Sequence, residues 1–150
     1  FLTSNLASDI IMNSSADGQR PAVEDLVGAI RPILSRHFKP ALLARMTIVP
    51  YYPISGEAMK DIVILKLKRV ANRLMDSHGM VLDYDPMVID QIAQRCQEVE
   101  TGARNVDHIL QGTLLPMMST ELLSRMGGGA LPERLKVGLS KGGDFRVEMN

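Results

Sequence analysis

An amphipathic run from Glu57 to about Ser77 constrains this chain more than any other stretch. Its apolar positions Ala58, Ile62, Leu65, Val70 and Leu74 mark one side, and Lys60, Lys66, Lys68 and Arg73 occupy much of the other. That spacing predicts a long helix, which must bury its apolar side against further elements. Just before it, Pro50 and Pro53 stop a β-like run, Met46-Thr47-Ile48-Val49. A boundary is therefore expected around Ile54 to Gly56, with one subdomain over 1–56 and a second over 57–150. Length alone suggests one domain for 150 residues, with room for two small subdomains.

Upstream of the boundary, Phe1-Leu2 reads as the end of a buried strand whose start lies further upstream. The chain lacks an initiator Met and is expected to be a fragment. Residues 6–12 lead out of that strand, and Asn13 to Ala22, rich in Ser, Gly, Asp and Pro, reads as a mobile loop. Val23, Leu26, Val27, Ile30 and Leu34 then predict a helix kinked at Pro32, and a short second helix fits Pro40 to Arg45.

Downstream, Met80-Val81-Leu82 is expected as a short strand and Pro86 opens a helix to about Glu98. A further helix starts near Gly102 or Ala103 and runs towards Met118, with an extension to Met126 beyond a kink at Pro116. Gly127-Gly128-Gly129 is a turn or hinge. Val137 and Leu139, then Phe145, Val147 and Met149, alternate around Lys141-Gly142-Gly143-Asp144, which predicts a terminal β-hairpin.

Composition narrows the function classes. Hydrophobic residues make up 45% and charged residues 23%, the balance of a folded globular chain. Lys+Arg and Asp+Glu are both 17, so the net charge is zero, with no basic footprint for nucleic acid and no polybasic membrane patch. No apolar run approaches the roughly 18–20 residues that span a bilayer, and no signal peptide is evident. One cysteine forms no internal disulfide, which fits a reducing compartment.

Three places carry candidate chemistry. The polar tip Thr3-Ser4-Asn5 follows an apolar strand end, where an amide can orient water or a phosphate; on the local pattern alone a plain turn-forming Asn5 is the simpler explanation. Arg45 ends a short helix, where it either reaches a neighbouring phosphate or complements the helix dipole. Arg104 falls in the first turn of a predicted helix, where the macrodipole disfavours a cation. An anion bound at that helix start would remove the conflict, and so would pairing with Glu98 or Glu100.

The remaining constellations point elsewhere. His37, His78 and His108 lack metal-ligand spacing, and Cys96 reads as a buried small hydrophobe. Asp83 and Asp85 read as helix-capping carboxylates ahead of Pro86. The Lys-rich face of 57–77 is solvated or faces another subunit. No GxxxxGK[ST] sequence and no strand ending in paired acids occurs, so the chain lacks a phosphate cradle and a Mg²⁺ carboxylate.

In series, these segments resemble a known family. Phe1-Leu2-Thr3-Ser4-Asn5-Leu6-Ala7-Ser8-Asp9 resembles the sensor 1 strand end in the second ATPase module of Clp-type AAA+ unfoldases. Phe38-Lys39-Pro40-Ala41-Leu42-Leu43-Ala44-Arg45 is similar to their arginine-finger segment, and Gly102-Ala103-Arg104 to their sensor 2 helix. The plan from Glu57 onward looks like the small lid domain of the same module. The resemblance covers essentially the whole chain. It implies an α/β remnant of an AAA+ large domain followed by an α+β AAA+ small lid domain, mostly helical with a C-terminal β-hairpin.

Within the family, disaggregases usually read Phe-Leu-Asn-Arg before an acidic residue and Gly-Ala-Arg-Pro-Leu on the sensor helix. Here the corresponding runs are Leu-Ala-Arg-Met-Thr-Ile-Val-Pro-Tyr-Tyr-Pro and Glu-Thr-Gly-Ala-Arg-Asn-Val-Asp-His-Ile-Leu. Those versions resemble the ClpV branch of bacterial type VI secretion, which implies a cytoplasmic homo-hexamer that disassembles the contracted secretion sheath by pulling sheath subunits through its pore. ATP or ADP with Mg²⁺ would be the cofactor of the parent protein; this chain alone is expected to bind neither tightly and to turn over no nucleotide.

By the same resemblance Asn5 positions the attacking water or senses the γ-phosphate, and Arg45 reaches the γ-phosphate held in the next subunit. Arg104, with Ala103 beside it, contacts phosphate in its own subunit, and Ile62 packs on the adenine. Two rivals stand beside this reading. One is a ClpB-like disaggregase fragment. The other is a non-catalytic helical adaptor using the Lys-rich helix to bind an acidic partner.

Overall fold

The computed structural model describes residues 1–97, 102–126 and 132–149. The chain divides into two compact units, Phe1–Ser55 and Gly56–Asn150.

The first unit is helical. Helix α1 (Ser8–Ser14) is followed by a single 3₁₀ turn (Ala16–Gly18), α2 (Val23–His37) and the one-turn α3 (Pro40–Leu43). Helix α2 follows the expected spacing, with Leu26, Ile30 and Leu34 buried, and it runs through Pro32 to His37. Val23 lies exposed at its start. Residues 8–14 and 16–18, expected as a lead-out and a mobile loop, are helical because Ile10 and Ile11 have a cluster to pack on. Ala7, Ile30, Leu34 and Leu43 form that cluster, joined by Leu6, Ile10, Ile11, Ile33, Phe38 and Ile48. The stretch after the 3₁₀ turn is held too: Arg20 stacks over the Tyr52 ring at 5.1 Å, and the Tyr52 hydroxyl donates to the Pro21 carbonyl.

Neither expected strand of this unit forms. Phe1-Leu2 and Met46–Val49 have no regular structure, and Leu2 and Val49 are 63% and 65% exposed. A strand exists through its hydrogen-bonded ladder, and among the described residues neither segment meets a partner strand. Apolar composition by itself does not make one.

The second unit carries the larger core. Helix α4 (Gly56–His78) buries Met59, Val63, Leu67 and Leu74, with Ile62, Val70 and Ala71 packed at the margin. The stripe is therefore rotated from the one read off the sequence: Ala58 is exposed and Leu65 is 53% exposed. Positions 59, 63, 67, 70 and 74 recur at the three- and four-residue steps of one helix face, and Met59 supplies the hydrophobe that Ala58 lacks. Gly79 ends the helix with φ +66°, its N–H donating to the Met75 carbonyl at 2.8 Å, a left-handed cap that suits a residue without Cβ.

Strand β1 (Val81–Tyr84) follows, then α5 (Pro86–Gln97), which buries Val88, Ile92, Ala93 and Cys96. Helix α6 (Arg104–Ile109) passes through a π-helical turn (Leu110–Leu114) into α7 (Leu115–Met126). Within the π turn the Leu115 N–H donates to the Leu110 carbonyl, five residues back. The turn lies just ahead of Pro116, which has no N–H to offer the preceding turn. The expected helix end at Glu98 and the Gly127-Gly128-Gly129 hinge lie outside the described residues.

Strands β2 (Arg134–Leu139) and β3 (Phe145–Met149) form the expected antiparallel hairpin, pairing Leu135 with Met149 and Leu139 with Phe145. Its turn closes through a Gly143 N–H to Ser140 carbonyl bond at 3.0 Å, with Gly143 at φ +83°. The Ser140 hydroxyl accepts from the N–H groups of Gly142 and Asp144. The sheet order is β1-β2-β3, and β1 runs parallel to β2, Val81 opposite Arg134. Asp83 and Asp85 serve that junction, pairing with Arg134 at 3.0 Å and Lys136 at 3.1 Å. The fold is mostly helical with a small C-terminal sheet, the architecture of an AAA+ small lid domain.

Two outcomes follow from this packing. Leu67 has no solvent exposure, so Leu67→Ala should cost about 2–5 kcal/mol in urea denaturation of the chain, whereas Leu65→Ala should stay within about 0.5 kcal/mol. Equal costs would mean that the helix face is misassigned. The buried cluster of the second unit is also far larger than that of the first, so amide hydrogen exchange should show stronger protection in residues 56–149 than in 1–55. Equal protection would contradict this.

Candidate functional site

Asn5 sits in a tight turn that leads into α1. The Ser4 hydroxyl accepts from the Leu6 N–H at 3.1 Å, and the Asn5 carbonyl accepts from the Ser8 N–H at 3.3 Å. Ala7 then adopts φ 61°, ψ 23°, a left-handed conformation that costs a non-glycine residue about 1–2 kcal/mol. Burial of the Ala7 methyl in the small cluster of the first unit holds it there. The Asn5 side chain, two residues earlier, is exposed.

Arg45 stands in the turn that ends α3, with its N–H donating to the Leu42 carbonyl at 3.0 Å and its side chain exposed. A four-residue helix carries little macrodipole, which weakens the helix-end explanation for a cation here. Leu43, two residues before Arg45, is buried in the same cluster as Ala7, two residues after Asn5. One small core thus braces the backbone on the flank of each candidate. It does not bring the two side chains together.

In the second unit Arg104 is the first residue of α6 and its side chain is exposed. Gly102 has φ +54°, and the N–H groups of Asn105 and Val106 donate to the Gly102 and Ala103 carbonyls at 3.0 and 3.3 Å. Asp107, three residues on, is the acid nearest to Arg104 along α6. Both of its carboxylate oxygens accept from the Lys66 ammonium at 2.8 Å. Among the described residues Arg104 has no ion pair; Glu98 and Glu100 lie outside them. Ala103 and Ile62 are half-buried and pack on the large core, so each has only an outer edge to offer a ligand.

Two features of this corner escaped the sequence reading. Lys66 joins α4 to α6 through Asp107, although the Lys-rich face read as solvated or facing another subunit; Lys60 likewise pairs with Asp90 of α5 at 2.6 Å, which holds its ammonium above the ordinary lysine range. Asn105 donates from its side-chain amide to the Arg95 carbonyl of α5 at 3.3 Å. A carboxylate three residues after an Arg at a helix start is the only sequence sign of the first. The second has none.

The donor set here suits a phosphate: an exposed guanidinium at the first residue of a helix, with no ion pair among the described residues. It does not suit a metal, because no three His, Cys, Asp or Glu among the described residues could hold one. Cys96 is fully buried and burial pushes its thiol up, which removes it as a nucleophile. No helix among the described residues is long and apolar enough to cross a membrane. A cleft of about 180 Å³ between α4 and α7, lined by Val70, Leu74, Leu115, Met118, Arg73 and His78 among others, contains none of the candidate residues.

Comparison with known proteins bears on this arrangement. The family described as the C-terminal, D2-small domain of ClpB protein matches residues 54–130, just over half of the chain. The AAA+ ATPase ClpV1 of Pseudomonas aeruginosa is 40% identical over 84% of the chain, and the chaperone protein ClpB of Yersinia enterocolitica is 34% identical over 82%. The chaperone protein ClpB 2 of Parasynechococcus marenigrum is 29% identical over 98% of the chain. The chain spans only about 14% of the length of the first two relatives and 16% of the third. With the family match lying on the helical unit built around α4 and α6, this chain belongs to the ClpB D2-small family, the C-terminal domain of ClpV- and ClpB-type AAA+ chaperones.

Proposed function

We propose that this chain is the C-terminal part of an ATP-driven, hexameric, cytoplasmic AAA+ unfoldase of the ClpV type, which disassembles the contracted type VI secretion sheath. The observation that carries the nucleotide reading is Arg104, an exposed cation at a helix start with no ion pair among the described residues, Asp107 of the same helix being held by Lys66. The higher identity to ClpV1 than to ClpB supports the branch.

In this reading Arg104, with Ala103 at its side, contacts the phosphates bound in its own subunit, and the outer edge of Ile62 packs on the adenine. Asn5 orients the attacking water or senses the γ-phosphate. Arg45 offers its planar fork to the γ-phosphate held by the neighbouring subunit, where it meets charge that develops during transfer. The phosphate cradle and the Mg²⁺ carboxylates come from outside this chain. The nucleotide, when bound, supplies the phosphoryl group; these residues only orient and sense it. The homo-hexamer is part of the mechanism, because a finger that acts in trans needs a neighbour.

A ClpB-like disaggregase reading shares every one of these residues and is favoured by the D2-small match; it differs in substrate. The adaptor reading loses support because Lys60 and Lys66 are engaged with Asp90 and Asp107 inside the domain.

In the full-length parent hexamer, Arg45→Ala should lower ATP turnover by about two orders of magnitude or more with the hexamer intact by sedimentation. Arg45→Lys should not restore it, since a point charge lacks the fork. Unchanged turnover would leave Arg45 an ordinary surface arginine. Wild-type parent protein should release subunits from isolated contracted sheaths in the presence of ATP. Refolding of aggregates without sheath release would assign the disaggregase branch instead.

A further inference from the structure

A backbone carbonyl has two lone pairs, so it can accept from a side-chain amide whatever its backbone partner, and a partly buried amide is held in place by such a bond. The Arg95 carbonyl lies in the last described turn of α5. The Asn105 side chain meets it from the second residue of α6, in a partly buried bond of 3.3 Å. At the same time the Asn105 backbone N–H closes the turn onto the Gly102 carbonyl at 3.0 Å. One residue therefore ties down the start of α6 twice, directly after Arg104.

The same stretch of α5 is anchored on its other side. The Arg95 guanidinium donates to the Gly143 carbonyl at 3.1 Å, stacks over the Phe145 ring at 5.0 Å and lies 4.0 Å from the Asp144 carboxylate. Phe145 belongs to the buried cluster, so Arg95 is fixed against the sheet as well as against the hairpin turn. The backbone that carries Arg104 is thereby referenced to the sheet through Asn105 and Arg95, while the Arg104 guanidinium stays exposed.

We propose that Asn105 is a positioning residue for Arg104: its amide, bonded to the Arg95 carbonyl, holds the α6 start so that the Arg104 guanidinium is presented to a nucleotide phosphate. The inference rests on the phosphate role proposed for Arg104. Positioning of this kind lowers the ordering cost at binding, so its loss weakens affinity without removing a contact to the ligand.

The test uses the full-length parent hexamer with Asn105→Ala, Asn105→Gln and Arg104→Ala. Affinity for a non-hydrolysable ATP analogue is read by displacement of a fluorescent nucleotide, and amide exchange over 103–109 is read in nucleotide-free protein. Asn105→Ala should weaken analogue binding about fivefold and speed exchange about fivefold, the effect of one hydrogen bond, while the thermal midpoint moves little. Asn105→Gln, which keeps an amide donor, should recover part of both. In the Arg104→Ala background, Asn105→Ala should have no further effect on affinity, since its action runs through Arg104. Weakened binding by Arg104→Ala with none by Asn105→Ala would overturn the positioning role alone. Unchanged binding by Arg104→Ala would remove the phosphate role and this inference with it.

Discussion

Everything in the second unit depends on one helix face leaving water. Val63 and Leu67 of α4 have no solvent exposure, and Met59 and Leu74 extend that stripe in both directions. Against it lie α5, β1 and α6, which contribute Val88, Ile92, Leu82 and Val106 to one cluster. Fully burying a side chain of this size is worth about 1.5–3 kcal/mol, so four such residues on one helix outweigh any ion pair at its margin. The salt bridges Lys60–Asp90 and Lys66–Asp107 then act mainly on direction: they choose which edge of α5 and α6 faces α4.

What was legible in the sequence was what is local. The hairpin announced itself because Val137, Leu139, Phe145, Val147 and Met149 alternate across a Gly-containing turn within a few residues. The span of α4 was legible to within one residue, and its face in part: Ile62, Val70 and Leu74 pack on the core as their spacing suggests. Ala58 and Leu65 scored as hydrophobes too, and the choice between them and Met59, Val63 and Leu67 is made by the partners α4 meets. The parallel pairing of β1 with β2 joins segments some fifty residues apart and leaves no periodic trace in either. Met46–Val49 shows the converse: β-like residues without a ladder remain irregular.

The candidate residues follow the same division. Arg104 was visible because a cation at a helix start is an electrostatic conflict readable from order alone. Asn5 and Arg45 stood out only as members of a series, and the backbone around them explains more than their side chains do. Ala7, held left-handed beside Asn5, and Leu43, buried beside Arg45, brace the two turns from a cluster of a few residues. Asn105 was invisible, since its bond to Arg95 is fixed by where two helices meet.

The helix that carries Arg104 shows how finely its face is set. Val106, Leu110, Leu114 and Met118 are all buried, each four residues after the last. In an unbroken α-helix of 3.6 residues per turn, twelve residues would carry Met118 about 120° away from Val106, out of the core. A π turn at Leu110–Leu114 absorbs about one residue, so the twelve behave as eleven and the drift falls to about 20°. Pro116 fits the same solution, because a turn that has already given up its four-residue bonds has no use for the N–H that proline lacks. The result is a continuous path from Arg104 to Leu122 that keeps one face on the core, with Arg104 exposed at its open end.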